Sequence, residues 1–273
     1  MKYVSIQKEQ FIRLGVFGDW QNPYLTLTPD YEGSIINAFN ELVKKGYIYR
    51  GLKPVNWCFK CETALAEAEV EYEEHVSPSI YVKFKLDENK EYQKDSYLVI
   101  WTTTPWTLIG NVAVAVHPDF TYSYIKTDKG NLILAKDLLL PALSQIGIDK
   151  YELIKEMKGE HLEGLTYNHP FDLRKGSVVL AEYVSQDEGT GLVHTAPGHG
   201  NDDYLTGLKY KLDIIMPVDE KGNFDASAGE FKGLNVYDAN KIIIEKLQKS
   251  GALLFDTKIQ HAYPHCWRCK NPI

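Results

Sequence analysis

The sequence lacks any long apolar segment. None of its hydrophobic runs approaches the roughly 20 residues that a membrane-spanning helix needs. Its first ten residues, MKYVSIQKEQ, are too polar for a signal peptide. We therefore expect a cytoplasmic protein with no membrane partner.

An excess of positive charge is also missing. The 273 residues include 30 Lys and Arg against 37 Asp and Glu, for a net charge of -7. A domain that holds nucleic acid tightly by itself is usually basic. Any contact with nucleic acid should therefore depend on local patches or on a partner domain. With 44% hydrophobic residues, the chain has enough apolar material for one large domain or two smaller ones.

Cysteine is scarce, and its placement is informative. The four cysteines form two CxxC pairs, Cys58 with Cys61 and Cys266 with Cys269. Four are too few for a disulfide scaffold, whereas two CxxC pairs predict a closed, tetrahedral, structural Zn²⁺ site. A redox pair and ordinary buried thiols are the alternatives. His265 adjoins Cys266 as a substitute ligand, although four sulfurs already complete the set.

Motifs for a catalytic nucleophile are absent. There is no GxSxG, and every cysteine belongs to a CxxC pair. The chain has two polar clusters instead. WTTTPWTL holds Thr102, Thr103, Thr104 and Thr107, and EGTGLVHTAPGHGNDDY holds His194 and Asp203.

Each cluster has a structural alternative. The threonines could form a structural turn, His194 could be a core histidine, and Asp202 could cap a helix. A metal site of His194, His199 and an aspartate is a further alternative, although the regular helical spacing of such sites is missing. The residue chemistry alone predicts a polar pocket and no named reaction.

Hydrophobic patterning predicts terminal helical pieces around a β-rich middle. Residues 28–46 are predicted to form a helix, because they carry residues typical of helix ends, with Thr28 as the cap and Pro29 at the first helical position. A second helix is predicted from Asp238 to Gly251, and shorter ones in LAKDLLLPAL and after GHGNDDY. The strand candidates are IYVKFKL, SYLVIWT, NVAVAV and SVVLAEYV, and VDEKGNF has the composition of a hairpin turn. The alternation in IYVKFKL predicts one buried face and one wet face, the latter with Tyr81, Lys83 and Lys85.

Four long motifs together resemble the isoleucyl-tRNA synthetase family of class I. They are GLKPVNW…ETALAEAEVEY, WTTTPWTLIGNVAVAVHP, GTGLVHTAPGHGNDDY and YPHCWRCKNPI, and they span nearly the whole chain. The related valyl and leucyl enzymes resemble T-R-P-[ED]-T in the threonine region, where this chain has Trp106–Thr107. The family's ATP signatures H-I-G-H and K-M-S-K-S are absent from this sequence.

The resemblance implies an α/β, β-rich fold. A β-barrel-like editing domain (residues 67–255) would be inserted between flanking pieces of a Rossmann-type nucleotide-binding core, with a zinc-binding neck. Residues 1–66 would carry the first zinc knuckle, and residues 256–273 would return with the second. Synthetase activity, which uses ATP, is expected only of the full-length enzyme.

The resemblance also implies a reaction. Isoleucine and valine differ by one methylene, which is worth about 1–3 kcal/mol in an apolar pocket, a magnitude for which this family is itself the standard illustration. A second, smaller site therefore hydrolyses valyl-tRNA(Ile). The expected partners are the 3′ end of the mischarged tRNA and the rest of the synthetase chain.

The resemblance assigns the site residues as follows. Threonines 102, 103, 104 and 107 supply hydroxyls and methyls, and Asn111 belongs to the same site. Asp203 binds the α-ammonium, and His194 faces the amino-acid side chain. An oriented water and oxyanion donors suffice for an activated ester, so no catalytic metal is expected. The alternatives are a zinc-clasped tRNA-binding module without catalysis and a non-functional truncated fragment.

Overall fold

The computed structural model describes residues 1–88 and 90–273. The chain divides into two units, an N-terminal unit (Met1–Leu52) and a main unit (Lys53–Ile273). Within the described residues, no helix combines the length and the apolar character that crossing a bilayer requires. The domain boundaries expected after residues 66 and 255 remain predictions.

The N-terminal unit contains two helices, α1 (Lys2–Arg13) and α2 (Pro29–Lys44). The helix predicted between Thr28 and Gly46 is thus confirmed, with Pro29 in its first turn. Thr28 occupies the N-cap position, but its hydroxyl donates to the carbonyl of Leu25 instead of capping the helix. The apolar stripe of α2 is exposed, with Phe39 at 55% accessibility.

The main unit is built on strands. They are β1 (Asn56–Cys58), β2 (Thr63–Leu65), β3 (Val70–Leu86), β4 (Ser96–Thr102), β5 (Ala113–Val116), β6 (Thr121–Thr127), β7 (Gly130–Ala135), β8 (Glu152–Lys158), β9 (Thr166–Asn168), β10 (Lys175–Leu180), β11 (Leu192–Thr195) and β12 (Leu253–Cys266). Three helices accompany them: α3 (Leu139–Ile146), α4 (Asn201–Tyr210) and α5 (Val236–Lys249). All four strand predictions and all three helix predictions fall on these elements.

One sheet holds ten of the strands, in the order β11-β5-β10-β9-β3-β4-β7-β6-β8, with β12 paired to β3 beside this path. Strands β1 and β2 form a separate antiparallel pair. The mixed α/β, β-rich class expected from the sequence is confirmed. The expectation of a barrel was wrong, because among the described residues no pairing joins the two edge strands, β8 and β11, and the sheet stays open.

The edge strand β8 explains why the sheet stays open. Four of its seven residues are charged (Glu152, Lys155, Glu156 and Lys158), and all seven are exposed or half-buried. Charged side chains along an edge disfavour pairing with a further strand. Closure of a barrel would require such pairing.

Both faces of the central strands are covered. Ile80, Val82 and Phe84 pack in the main core with the inner face of α5. On the opposite face, Tyr81 packs with residues of α3 and is 7% exposed, although the alternating pattern predicts a wet face there. Each fully buried side chain of this size contributes about 1.5–3 kcal/mol, so the two layers fix the strands that carry the candidate site.

Candidate active site

The threonine segment begins where β4 ends. The buried run Leu98–Ile100 anchors β4 in the core, and Thr102 is the last residue of this strand. Pro105 then opens a short 3₁₀ turn, Pro105–Gly110. This turn is held from outside, since the amide oxygen of Asn240 accepts a 3.0 Å bond from the Trp106 N–H.

Two further side chains secure the same turn. A ring nitrogen of His169 lies 2.8 Å from the Leu108 carbonyl. The Arg174 guanidinium donates to the carbonyl of Ile109 at 2.8 Å. Burial lowers the pKa of His169 to about 4, so this ring is neutral and donates. The loop is therefore fixed by bonds to its own backbone carbonyls.

The second cluster comes from β11 and α4. His194 lies on β11, opposite Val114 of β5. After the loop, α4 begins at Asn201 with Gly200 as its N-cap residue, which places Asp203 in the first helical turn. The Ala196 N–H donates to Oδ2 of Asp203 at 2.8 Å and ties the helix start to the end of the strand.

The two clusters meet around a cavity of about 320 Å³. Six of the seven predicted site residues line it, the exception being Asn111. The complete lining is Trp101, Thr102, Thr103, Thr104, Thr107, Val193, His194, Ala196, His199, Gly200 and Asp203. Hydroxyl, imidazole and carboxylate groups thus converge on one concave site.

The threonine hydroxyls differ in their bonding. Thr102 accepts a 3.1 Å bond from the Thr104 N–H, and the two hydroxyl oxygens are 3.3 Å apart. The Thr107 hydroxyl donates to the Thr104 carbonyl at 2.8 Å. Thr103 makes no side-chain hydrogen bond within the described residues, so its hydroxyl is free for a ligand.

His194 is a neutral imidazole. Its Nε2 lies 2.9 Å from Oγ1 of Thr107, whereas its Nδ1 is buried without a hydrogen-bond partner in the described part of the chain. Burial, followed by the neighbouring histidines, lowers the pKa of His194 to about 3. At neutral pH this ring cannot hold a proton taken from water.

Asp203 has the opposite shift. Burial raises the pKa of its carboxyl to about 6, against the lowering effect of the bonds from Ala196 and Tyr183. The Tyr183 hydroxyl donates to Oδ1 at 3.4 Å. The carboxylate is thus ionised at neutral pH but poorly solvated, which favours a cationic ligand group.

Asn111 lies outside the cavity lining. Its Nδ2 donates to the Ala113 carbonyl at 2.8 Å, and its Oδ1 accepts a 2.6 Å bond from the Tyr167 hydroxyl. The side chain is fully buried. Its amide therefore links the threonine turn to β9 in this structure, and its assignment to the site remains a prediction.

Sequence reasoning considered His199 only as a ligand of an alternative metal site, and it missed several supporting residues. His199 lines the cavity with Nε2 buried and unpaired among the described residues, and its ring packs edge to face on Trp106 at 4.8 Å. The Gly-His-Gly run around it was a usable signal. Tyr167, Arg174 and Asn240 are distant in sequence and carry no local pattern that could have identified them.

The four cysteines come together at a separate point of the main unit. Their sulfurs all lie within 4.8 Å of one another, and Cys58 Sγ is 3.4 Å from Cys269 Sγ. Cys58 and Cys266 are fully buried, whereas the other two are half-buried. Within the described residues, no other cluster of three or more His, Cys, Asp or Glu is close enough to hold a metal ion. The alternative metal site at His194 and His199 therefore has no geometric support.

The cysteine geometry fits a tetrahedral metal ion. Metal–sulfur bonds of about 2.3 Å imply sulfur–sulfur edges of ~3.8 Å, which lies between the 3.4 Å of the Cys58–Cys269 pair and the 4.8 Å within which all four sulfurs lie. The Cys61 N–H points at Cys58 Sγ from 3.4 Å, as in a metal-binding knuckle. His265 is not in the group, since its Nδ1 bonds the Tyr263 carbonyl at 2.8 Å.

The sequence matches the family of class I tRNA synthetases for isoleucine, leucine, methionine and valine over residues 1–260. The chain therefore belongs to the class I tRNA synthetase family. Among its members, an isoleucine–tRNA ligase of Fervidobacterium pennivorans is 54% identical and one of Carboxydothermus hydrogenoformans is 56% identical, each over all of this chain. The resemblance inferred from the four motifs is confirmed. The chain spans about 29% of the length of these relatives.

Solved structures agree on the fold. GlLeuRS-CP1 aligns with a TM-score of 0.50 at 18% identity, covering 64% of this chain and 97% of that one. The editing domain of the P.falciparum cytosolic leucyl-tRNA synthetase aligns with a TM-score of 0.50 at 12% identity, and the alignment covers 65% of this chain and 98% of that one. The greater part of this chain thus has the fold of these editing domains.

Proposed function

We propose that the cavity between β4, β11 and α4 hydrolyses the ester of mischarged valyl-tRNA(Ile). The observation that supports it most is the convergence of threonines, His194 and Asp203 on one pocket within a chain of this family. The attachment of isoleucine to tRNA with ATP would be the activity of a longer protein. The tRNA and the remainder of the synthetase would be its partners, in the cytoplasm.

Asp203 would recognise the amino acid through its α-ammonium. The carboxylate is half-buried, and its two oxygens already accept bonds from Ala196 and Tyr183. Those bonds fix the carboxylate before the substrate arrives. A charge-assisted hydrogen bond to such a group is worth about 1.5–3 kcal/mol.

The threonine turn would bind the ester and the terminal nucleoside. Thr103 makes no side-chain hydrogen bond among the described residues, and the Thr102 and Thr104 hydroxyls share one weak contact that a ligand could replace. These hydroxyls come immediately before the Pro105–Gly110 turn, which is held by Asn240, His169 and Arg174. Donors that need no reorganisation stabilise the developing oxyanion most effectively.

The water would be activated without an enzymic base. His194 and His199 have pKa values of about 3 and about 4, and Asp203 is engaged with the ammonium. The remaining group of suitable chemistry is the free hydroxyl of the terminal ribose beside the ester. His194 would instead serve as a wall that admits valine and excludes isoleucine.

Incubation of the chain with valyl-tRNA(Ile) tests the proposal. We expect release of free valine and intact tRNA, and much slower release by the Asp203→Ala variant. A second candidate function is tRNA binding without hydrolysis. The net charge of -7 argues against tight binding by this chain alone. Saturable binding of the charged tRNA with the ester left intact would favour it.

The cysteine cluster would hold one structural Zn²⁺. Two sulfurs come from the β1 knuckle and two from the end of β12, so the ion would join strands that are far apart in sequence. Four thiolates leave no coordination position for a substrate. The metal would therefore stabilise the neck and take no part in hydrolysis.

A further inference from the structure

The Thr107 hydroxyl has two neighbours and one proton. It donates to the Thr104 carbonyl at 2.8 Å and lies 2.9 Å from Nε2 of His194. A hydroxyl donates once but accepts twice. Since its proton is used on Thr104, the hydroxyl accepts from His194, and the imidazole proton must be on Nε2.

The opposite tautomer satisfies fewer groups. With the proton on Nδ1, the Thr107 hydroxyl would have to turn its proton to Nε2 and give up the Thr104 carbonyl. The Nδ1–H would then be a buried donor, and no described residue accepts from it. A buried unpaired donor is costly, and one hydrogen bond would be lost as well.

We propose that Thr107 is a positioning residue that holds His194 in the Nε2–H tautomer, so that its bare Nδ1 accepts a hydrogen bond from the bound ester. The identity of the ester rests on the proposed function. His194 lines the cavity and is 8% exposed as a residue, and its buried Nδ1 has no hydrogen-bond partner among the described residues. An acceptor in this state is matched by an N–H or O–H that a ligand brings into the cavity.

Two parts of the substrate carry such a donor. The α-ammonium offers N–H groups, and the terminal ribose offers a hydroxyl. L-Valinamide contains only the first, and adenosine supplies the second. The neutral ring would accept from either without being protonated, so it orients the ligand and does not act as a base.

Nitrogen NMR of the chain labelled at its histidine nitrogens tests the tautomer directly. The His194 signals are assigned by their loss in His194→Asn. We expect the proton on Nε2 in the wild type and in Thr107→Ser, and a shift of the population toward Nδ1–H in Thr107→Val. Thr102→Val removes a hydroxyl that does not contact His194, so it should leave the tautomer unchanged. A proton on Nδ1 in the wild type, or an unchanged tautomer in Thr107→Val, would overturn the proposal.

Hydrolysis of valyl-tRNA(Ile) tests the consequence. Thr107→Val should slow it roughly two- to twelvefold, the effect of one neutral hydrogen bond, and Thr107→Ser should recover most of the rate. Titration with L-valinamide and with adenosine should move the Nδ1 resonance for whichever carries the donor. Cavity signals that respond while Nδ1 does not would refute the acceptor role. The tautomer is read without turnover, so it can fail or hold independently of the hydrolysis.

Discussion

The backbone N–H of Ala196 donates a 2.8 Å hydrogen bond to Oδ2 of Asp203. This bond joins the last residues of β11 to the first turn of α4, and it turns the carboxylate toward the cavity that His194 lines. Asp202, one residue earlier, is exposed and does not line the cavity. The two aspartates therefore make a matched pair for mutagenesis.

Asp203→Ala should strongly reduce hydrolysis of valyl-tRNA(Ile) while leaving the fold intact. The lost charge-assisted bond to the ammonium corresponds to a decrease of roughly 10- to 150-fold in kcat/KM. Deacylation rates and a thermal melt measure the two effects. Asp202→Ala is the control and should have the smaller effect. If it proves the more damaging change, the roles of the two residues are reversed.

The pH dependence of kcat/KM should reveal the same carboxyl. Its pKa is raised from 3.8 to about 6 by burial, so protonation below pH 6 removes the charge that binds the ammonium. The rate should fall as pH falls through about 6. His194, with a pKa of about 3, should add no second step above pH 5. A flat profile from pH 5 to 7 would contradict the assignment.

The contribution of Asp203 to folding stability changes with pH in the direction opposite to that of the rate. Because the folded state binds this proton more tightly than the unfolded state, the contribution of Asp203 is greatest below about pH 4 and is lost as pH rises through 6. Asp203→Asn should therefore raise the melting temperature more at pH 8 than at pH 4. Thermal melts at the two pH values provide the comparison.

One zinc ion per chain should be bound by Cys58, Cys61, Cys266 and Cys269. Removing it should accelerate amide exchange in β1, in β2 and at the Val70–Cys266 end of the β3–β12 pair. Amide exchange in β4, which lies in the core, should stay slow. Metal analysis and hydrogen exchange measure both effects. Cys61→Ser should therefore lower the zinc content. Lys60→Ala, in the same knuckle, is the matched control and should leave the zinc content unchanged. Protein purified without chelator that contains no zinc and has four freely reactive thiols would refute the site.

Gly110→Ala should impair hydrolysis through His199. A Cβ at residue 110 would lie 2.9 Å from Nε2 and 3.0 Å from Cδ2 of that ring, so the imidazole must move. Overpacking of this kind typically costs about 1–3 kcal/mol. The rate should fall in Gly110→Ala and recover partly when His199→Ala is added. Gly33→Ala, which meets no atom within 4 Å, is the control. An unchanged rate in Gly110→Ala would show that His199 does not shape the pocket.

Local patterns predicted four of the twelve strands in the described residues, because those four carry apolar runs or clear alternation, whereas β12 lies where a terminal helical piece was expected. Ser96–Thr102 was predicted to its exact limits from an apolar run that ends in hydroxyls. The convergence of Thr102 and His194 followed from family resemblance, since no spacing rule relates residues so far apart. Tertiary contacts could not be predicted from local patterns. Tyr81 was expected on a wet face but is covered by α3, and Asn111 was expected in the site but bonds Tyr167 outside the cavity lining.

With His194 as its wall, the proposed cavity sorts esters by the size of the amino-acid side chain. The ratio of valyl-tRNA(Ile) to isoleucyl-tRNA(Ile) hydrolysis rates, measured in the wild type and in His194→Ala, tests this sorting. We expect a high ratio in the wild type. In the variant, valyl ester hydrolysis should continue and isoleucyl ester hydrolysis should appear, because the shorter side chain leaves room for one more methylene. Loss of both activities in a folded variant would contradict the wall and make His194 part of the catalytic chemistry.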